Sequence, residues 1–374
     1  MATLDIQRIH SIDISAHESG SWLAYLTRGL GFQHVATSTP QAIEKTGTRK
    51  QLLAAGDVRL VVQEPVHAGS PIRRFLEKHP EGISCVNFLV SDARATEEQL
   101  LEKHATCTDF LMTDRTERGE WKQINIATPL GDVEFAFVQT ADPQRITLPG
   151  TQSCGDFDPA KNPLGITEID HLTSNVRTLM PVIAFYEHVL GLRRVWDVRF
   201  HTEDVRPGMG AGLTSVAMRD VISGIRFVNN EPLRPRFDSS QVQMHVDTNR
   251  GPGLQQIALG VGNLVDAVGK ASSSGVQFLP TPPTYYQLLP RRLAAMGVSA
   301  LDGMLDKLAA HGILVDGDRN GHILQIFCRD QATQFGRPSA GPLLIEMIER
   351  RGCQGFGEGN FRAIFEATSK MQRD

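Results

Sequence analysis

The chain has 374 residues, 38 Lys and Arg against 42 Asp and Glu, and a formal charge of −4. That balance excludes a polyanion-binding footprint, and no nucleic-acid partner is expected. With 41% hydrophobic and 21% charged residues, it is an ordinary globular composition, long enough for two domains. Five scattered cysteines (Cys85, Cys107, Cys154, Cys328, Cys353) form no Cys-x-x-Cys unit, which argues against a disulfide framework or thiolate zinc site. The opening MATLDIQRIHSIDIS lacks a secretory layout, and no apolar run approaches the ~20 residues of a membrane helix. A cytoplasmic protein without a membrane partner is expected.

The first element, "RIHSIDISAHESGSWLAYLTRGLGFQHVA", begins as an alternating strand, passes into a helix-spaced apolar pattern and stops at Leu-Gly-Phe. Strand-like runs "VRLVVQEP", "ISCVNFLVSD" and "GDVEFAFVQ" follow, with the helical "DARATEEQLLEKHA" among them. A stretch rich in Pro, Gly and Asp, "LPGTQSCGDFDPAKNP", reads as a linker. From Glu168 the opening plan repeats in "EIDHLTSNVRTLMPVIAFYEHVLGLRRVWD", about 160 residues on, too long a period for a solenoid. Strands "TSVAMRD", "SGIRFVNNEP" and "LQQIALGV", a helical "RRLAAMGVSALDGMLDKLAAHG", then "HILQIFCRD" and "LLIEMIER" complete the second half. The expected class is α+β: two similar domains of repeated β-α-β-β-β modules, residues 1–148 and 164–374, joined by a linker over 149–163.

Two residues point to chemistry. Glu346 is a lone carboxylate among Leu343, Leu344, Ile345, Met347 and Ile348, costly if buried without a partner. A metal would be such a partner; a solvent-facing position on the polar side of the strand is the alternative, and the pattern leaves both open. His171, in "ITEIDHLT", is an imidazole that strand alternation can turn inward.

The stretches "IDHLTSNV" with "FYEHVLGL", "NNEP", "SQVQMHVDTNRGPGLQQIAL", "PPTYYQLL", "GILVD", "LQIF" and "IEMIERRGCQGFGEGNFRAIFEA" occur in this order. Together they resemble the 4-hydroxyphenylpyruvate dioxygenase and hydroxymandelate synthase family of the vicinal-oxygen-chelate fold, over nearly the whole chain and most strongly from Ile166. The resemblance implies two vicinal-oxygen-chelate domains, each a half-open barrel of paired modules with outer helices. The first would be structural, with an empty barrel; the second would be catalytic and end in a C-terminal helix. It also implies Fe(II) or another divalent metal, O2 as co-substrate, a small aromatic α-keto acid as substrate, and a homodimer or homotetramer.

Carried over residue by residue, the metal ligands are His171, Gln256 and Glu346. The second falls where the family has histidine: its "QHIAL" is "QQIAL" here. Substrate-organising positions correspond to Ser215, Asn230, Gln241, Gln255 and Gln325, ring-packing ones to Phe327 and Phe361, and Phe356 and Asn360 also match. Alternation places Gln325 with Phe327 on one strand face, and Gln241 with Gln243 and His245 on another. His245, where the family has tyrosine, is therefore an additional ligand candidate. Val228 and Asn229 before "NEP", and Leu344 in place of a family phenylalanine, imply a substrate wall of altered polarity and shape. "RDQATQFGRPSAGP" lengthens the loop before the glutamate strand. In the first half, His10, His17 and Glu134 make no complete triad.

Three functions fit these residues. One is an iron dioxygenase with a His/Gln/Glu site, coupling oxidative decarboxylation of a keto acid to hydroxylation. Another is a metal-dependent isomerase or rearrangement enzyme on the same fold, and the last is a catalytically silent keto-acid-binding homologue. An amide oxygen is a neutral, weaker donor than imidazole, so the substitution bears directly on metal affinity.

Overall fold

The computed structural model describes residues 4–116, 119–142, 148–201, 212–233, 240–298, 301 and 303–360. Phe361 and the expected C-terminal helix lie outside them.

The first half contributes β1 (Ile6–Ser15), β2 (Gln33–Ser38), β3 (Thr48–Ala55), β4 (Val58–Pro65), β5 (Gly82–Val90), β6 (Met112–Thr116), β7 (Gly119–Ala127) and β8 (Glu134–Thr140). The linker adds β9 (Thr151–Ser153), which pairs with β2. The second half contributes β10 (Ile166–Asn175), β11 (Arg193–His201), β12 (Gly212–Arg219), β13 (Arg226–Pro232), β14 (Gly253–Val261), β15 (Leu314–Asp318), β16 (Gly321–Phe327) and β17 (Leu344–Arg351). Their orders are β6-β7-β8-β5-β1-β4-β3-β2-β9 and β11-β12-β13-β10-β14-β17-β16-β15. Apart from β9, one order maps onto the other element for element, and β1 and β10 start 160 positions apart. In each sheet two modules meet along an antiparallel pair, β1 with β5 and β10 with β14, producing two curled half-barrels.

The helix stops expected from the two Leu-Gly steps are left-handed glycines, Gly31 (φ 72°) and Gly191 (φ 77°). Both follow a π-helical turn, Tyr25–Gly29 and Phe185–Leu190, so the duplication extends to an uncommon feature. The long helical stretch expected over "RRLAAMGVSALDGMLDKLAAHG" is instead two helices, Pro283–Met296 and Leu305–His311, because Gly297 (φ 70°) caps the first.

Alternation divides each sheet into two faces. The convex faces are apolar and pack on the helices and on each other: Phe88 and Phe135 of the first sheet lie 6.3 and 5.6 Å, ring to ring, from Phe227 of the second. One continuous core therefore serves both halves. In the first barrel Leu148 and Phe157 close one end against Leu52, Val61 and Trp121.

The lengthened loop before β17 fastens the halves together. Phe335 stands edge-on to Trp22 (5.3 Å) and Tyr25 (5.7 Å), and Arg337 donates to the fully buried Glu81 at 2.7 and 3.1 Å. Glu81 also accepts from the Trp22 indole (2.8 Å) and the His17 amide (2.9 Å). No helix among the described residues is long and apolar enough to cross a membrane.

Candidate active site

Three adjacent strands, β10, β14 and β17, bring His171, Gln256 and Glu346 together on the concave face of the second barrel. His171 and Glu346 flank Ala258 in register, and Gln256 lies opposite Thr173. His171 Nε2 is 3.3 Å from Glu346 Oε2 and 3.4 Å from Gln256 Nε2, and the Gln256 amide donates to Glu346 Oε2. All three side chains are buried.

Plain alternation would send Gln255 and Gln256 to opposite faces. A β-bulge prevents this: Thr173 pairs with Gln256 but Ser174 with Leu254, leaving Gln255 as the extra residue, so both amides turn inward. A second bulge leaves Asp170 unpaired between Ile169 and His171, and it also turns to the concave side.

Asp170 supports the imidazole. It accepts from His171 Nδ1 (2.9 Å), which fixes the ring with Nε2 turned toward Gln256 and Glu346. Behind it Arg350 donates two parallel bonds from Nε (2.9 Å) and Nη2 (2.8 Å), and Arg226 lies at 3.4 Å. Burial alone would raise the Asp170 carboxyl; the bonds from Arg350 and His171 override it and hold the group far below the usual carboxylate range. Burial likewise opposes the charged imidazole, but the Glu346 charge and the bond to Asp170 lift His171 to about 9.

Glu346 is oriented from its other oxygen. Gln325 Nε2 donates to Oε1 at 2.8 Å, Asn360 Nδ2 to Gln325 Oε1 at 3.1 Å, and the Tyr285 hydroxyl to Asn360 Oδ1 at 2.8 Å. Further along the wall, Asn175 links Gln255 (2.7 Å) and Asn230 (3.0 Å). The Asn230 side-chain Oδ1 and the Ser215 hydroxyl are buried without a hydrogen-bond partner among the described residues. Phe356 packs edge-on to His171 (5.5 Å) and clusters with Val228, Ala217 and Trp196, while half-buried Phe327 lies opposite Glu346 in register. Leu344 is half-buried beside Gln256.

Three expectations are corrected. Gln241 and His245 lie not on a strand but on the helix Gln241–Thr248, whose buried face is Val242, His245 and Val246, a helical spacing. Gln241 is exposed, and His245 is buried in that helix with both ring nitrogens unpartnered among the described residues. Asn229 is not on the substrate wall. It belongs to the convex face, bonded to Ser174 (2.7 Å) and the Val216 and Phe227 carbonyls, and only its neighbours Val228 and Asn230 face inward. Phe361 is outside the described residues. Asp170, Arg350 and Asn175 went unread in the sequence; the one cue was the acid immediately before His171.

Among the described residues no three His, Cys, Asp or Glu side chains gather as a metal set, because the third donor here is an amide. The trio nevertheless fits a divalent cation. Neighbouring ligands at ~2.1 Å from an octahedral ion stand about 3 Å apart, close to the 3.3 and 3.4 Å from His171 to its two neighbours, while Gln256 and Glu346 are drawn closer by their own hydrogen bond. Imidazole, amide and carboxylate together carry a single negative charge, and Asp170 fixes the ligand tautomer.

A profile of the Glyoxalase/Bleomycin resistance protein/Dioxygenase superfamily matches residues 168–289. In structure the chain is similar to a triple variant of 4-hydroxymandelate synthase from Streptomyces coelicolor, with a TM-score of 0.81 over 99% of this chain and all of that one, at 23% identity. Fold and site thus define a two-domain vicinal-oxygen-chelate protein. In sequence it is 31% identical over 363 residues to the 4-hydroxyphenylpyruvate dioxygenase of Dictyostelium discoideum, covering 93% of each chain. It is 32% identical to that of Danio rerio, over 79% of this chain and 73% of the other. The chain belongs to the 4-hydroxyphenylpyruvate dioxygenase family, and is an oxidoreductase of the dioxygenase type.

Proposed function

We propose that the chain is an Fe(II)-dependent dioxygenase of a small aromatic α-keto acid, with His171, Gln256 and Glu346 as its metal ligands. The observation that carries this reading is the convergence of those three side chains on one concave face, with Asp170 and Arg350 fixing the imidazole behind them. His171 would bind through Nε2, since Nδ1–H is committed to Asp170. Glu346 would bind through Oε2, since Gln325 holds Oε1. Gln256 would bind through Oε1, because an amide nitrogen has no lone pair to give; a half-turn of the amide exchanges its oxygen and nitrogen. Bound iron supplies a Lewis-acidic, redox-active centre at which a keto acid and O2 meet.

The remaining residues supply binding and water exclusion. Phe327 and the Val228, Trp196 and Phe356 cluster form an apolar wall of the kind an aromatic ring fills. The Ser215 hydroxyl and the Asn230 side-chain Oδ1, unpartnered among the described residues, lie where a polar substituent of that ring would find a donor and an acceptor. Phe356, edge-on to His171, keeps water from that side of the ligand.

The alternative is a non-oxidative rearrangement of the same substrate class, since Gln256 puts a weaker oxygen donor where the family has imidazole. An oxygen electrode with parallel CO2 measurement on iron-loaded protein and 4-hydroxyphenylpyruvate separates the two. Coupled O2 loss and CO2 release supports the dioxygenase; turnover under argon selects the rearrangement; absence of both, with no iron retained, refutes the metal site. Gln256→His is expected to raise iron affinity about tenfold or more and increase O2 uptake. Unchanged affinity would show that Gln256 is not a ligand.

A further inference from the structure

The register that builds the active site also places a second polar group in the first barrel. Asp13 stands opposite Cys85 as Thr173 stands opposite Gln256. Gln63 faces Ser15, and Lys50 faces Gln63, as Asn230 faces Asn175 and Ser215 faces Asn230. Even the bulge recurs: Ser84 is the extra residue on β5 and bonds Ser15 at 2.8 Å, as Gln255 bonds Asn175. The positions that line the candidate active site are therefore occupied, in the other half, by a different and more highly charged set.

That set is ordered around two acids. Asp13 accepts from Gln63 (2.5 Å) and Asn87 (2.9 Å), and Glu134 accepts from Asn125 (2.9 Å), itself held by Gln123 (2.8 Å). Lys50 is half-buried on the same face, and its Nζ has no hydrogen-bond or ion-pair partner among the described residues. It is near enough for its charge to act on Asp13, against the burial that pushes that carboxyl up to about 6. Asp13, Lys50 and Glu134 each remain partly accessible.

At the other end of the same concave face Leu148 and Phe157 pack over Leu52, Val61 and Trp121, beside the buried His10 and Arg59. Two carboxylates and one ammonium leave the polar end with a charge of −1, an unsatisfied cation and an excess of acceptors. We propose that this end of the first barrel binds a small zwitterion, an α-amino acid, with Lys50 taking its carboxylate and Asp13 and Glu134 its ammonium. Such a site is separate from the metal-centred one, which lies on the concave face of the other sheet.

Isothermal titration calorimetry of the full-length, iron-loaded protein tests this with the proteinogenic L-amino acids, each to about 10 mM, a range that reaches millimolar affinities. At least one should bind one-to-one, and its two single-charge analogues, lacking either the ammonium or the carboxylate, should not. Lys50→Met and Asp13→Asn should each weaken binding about tenfold or more, Lys50→Arg should restore it, and Glu346→Gln should leave it unchanged. Circular dichroism of each variant separates lost binding from lost folding, and the Lys50→Arg rescue keeps the test decisive if Lys50→Met is unstable. No heat with any amino acid, equal binding of a single-charge analogue, or binding that survives Lys50→Met each overturns the proposal. Loss in Glu346→Gln alone would assign the ligand to the second barrel and also overturn it.

Discussion

Arg350→Met tests how the imidazole is held. Arg350 makes four hydrogen bonds: two to Asp170, one to the Cys353 carbonyl (2.8 Å) and one to that of Gly355 (2.7 Å). Its guanidinium also lies 5.7 Å from the Phe356 ring centre. Methionine keeps most of the volume and removes every donor. Asp170, only 5% exposed, would keep His171 and the weaker Arg226 contact at 3.4 Å. Breaking a buried ion pair from one side costs roughly 3–5 kcal/mol, and Arg226 should hold the loss near the lower end, about 3 kcal/mol. With Asp170 less firmly placed, the His171 tautomer is no longer fixed, and metal affinity should fall about 10- to 100-fold. Urea unfolding and iron titration measure the two effects separately. Arg350→Lys retains the charge but not the planar fork, so it should recover part of the stability and less of the affinity. Loss of under about 1 kcal/mol together with iron affinity within about twofold of the parent would refute the reasoning.

Acid stability should be set partly by two buried histidines. Burial pushes His10 and His245 down to about 3, with Arg59 and Arg8 adding to the effect at His10. Unfolded, each binds its proton near 6.5; between that value and about 3 the unfolded chain holds more protons, so stability rises with pH across the window and is lost on acidification. The full shift corresponds to at most about 5 kcal/mol per ring, and His245→Phe should flatten the fall in urea midpoint between about pH 7 and pH 4. An unchanged slope would count against a neutral buried ring. Arg337→Met should cost about 3 kcal/mol by stripping the fully buried Glu81 of its cation, less whatever water reaches the partly exposed site. Its marker is earlier proteolysis of the loop before β17, while the concave side-chain geometry around Glu346 is kept; stability within about 0.5 kcal/mol of the parent would show that the clasp is ornamental.

His171 and Glu346 were legible because each sits in a motif whose strand character is unambiguous, and the duplicated Leu-Gly stops marked both helix ends. Gln241 and His245 were misread for a physical reason: over eight residues, Gln241, Gln243 and His245 satisfy a period of two while Val242, His245 and Val246 satisfy the helical one. Packing of the helix, which no local pattern contains, breaks the tie. Asn229 could have been placed from parity alone, since Asn230 on the concave wall requires its neighbour to face away. The bulges at Asp170 and Gln255 were invisible, because nothing in either strand's own sequence announces that one residue will lose its partner. The Asp170–Arg350 pair joins residues 180 positions apart and needed the sheet to bring them together.

The duplication explains why an amide at position 256 is compatible with the site. By register, His171 and Glu346 correspond in the first barrel to Ser11 and Ala136, and Asp170 to His10. That half lacks the carboxylates of the candidate metal site as well as its ligands, so its interior could drift to another composition. In the second half, Glu346 is buried completely and its charge must be answered wherever the chain folds. A neutral imidazole at position 256 would present either a lone pair or an N–H at a given ring nitrogen, according to tautomer. Glutamine offers both on one group, an N–H that donates to Glu346 and an oxygen that can ligate a cation beside it. Glutamine in place of histidine would leave the summed charge of the three candidate ligands at −1 and keeps the carboxylate served in either role. The substitution thus weakens one donor without disturbing the electrostatic balance that Asp170, Arg350 and Gln325 maintain around it.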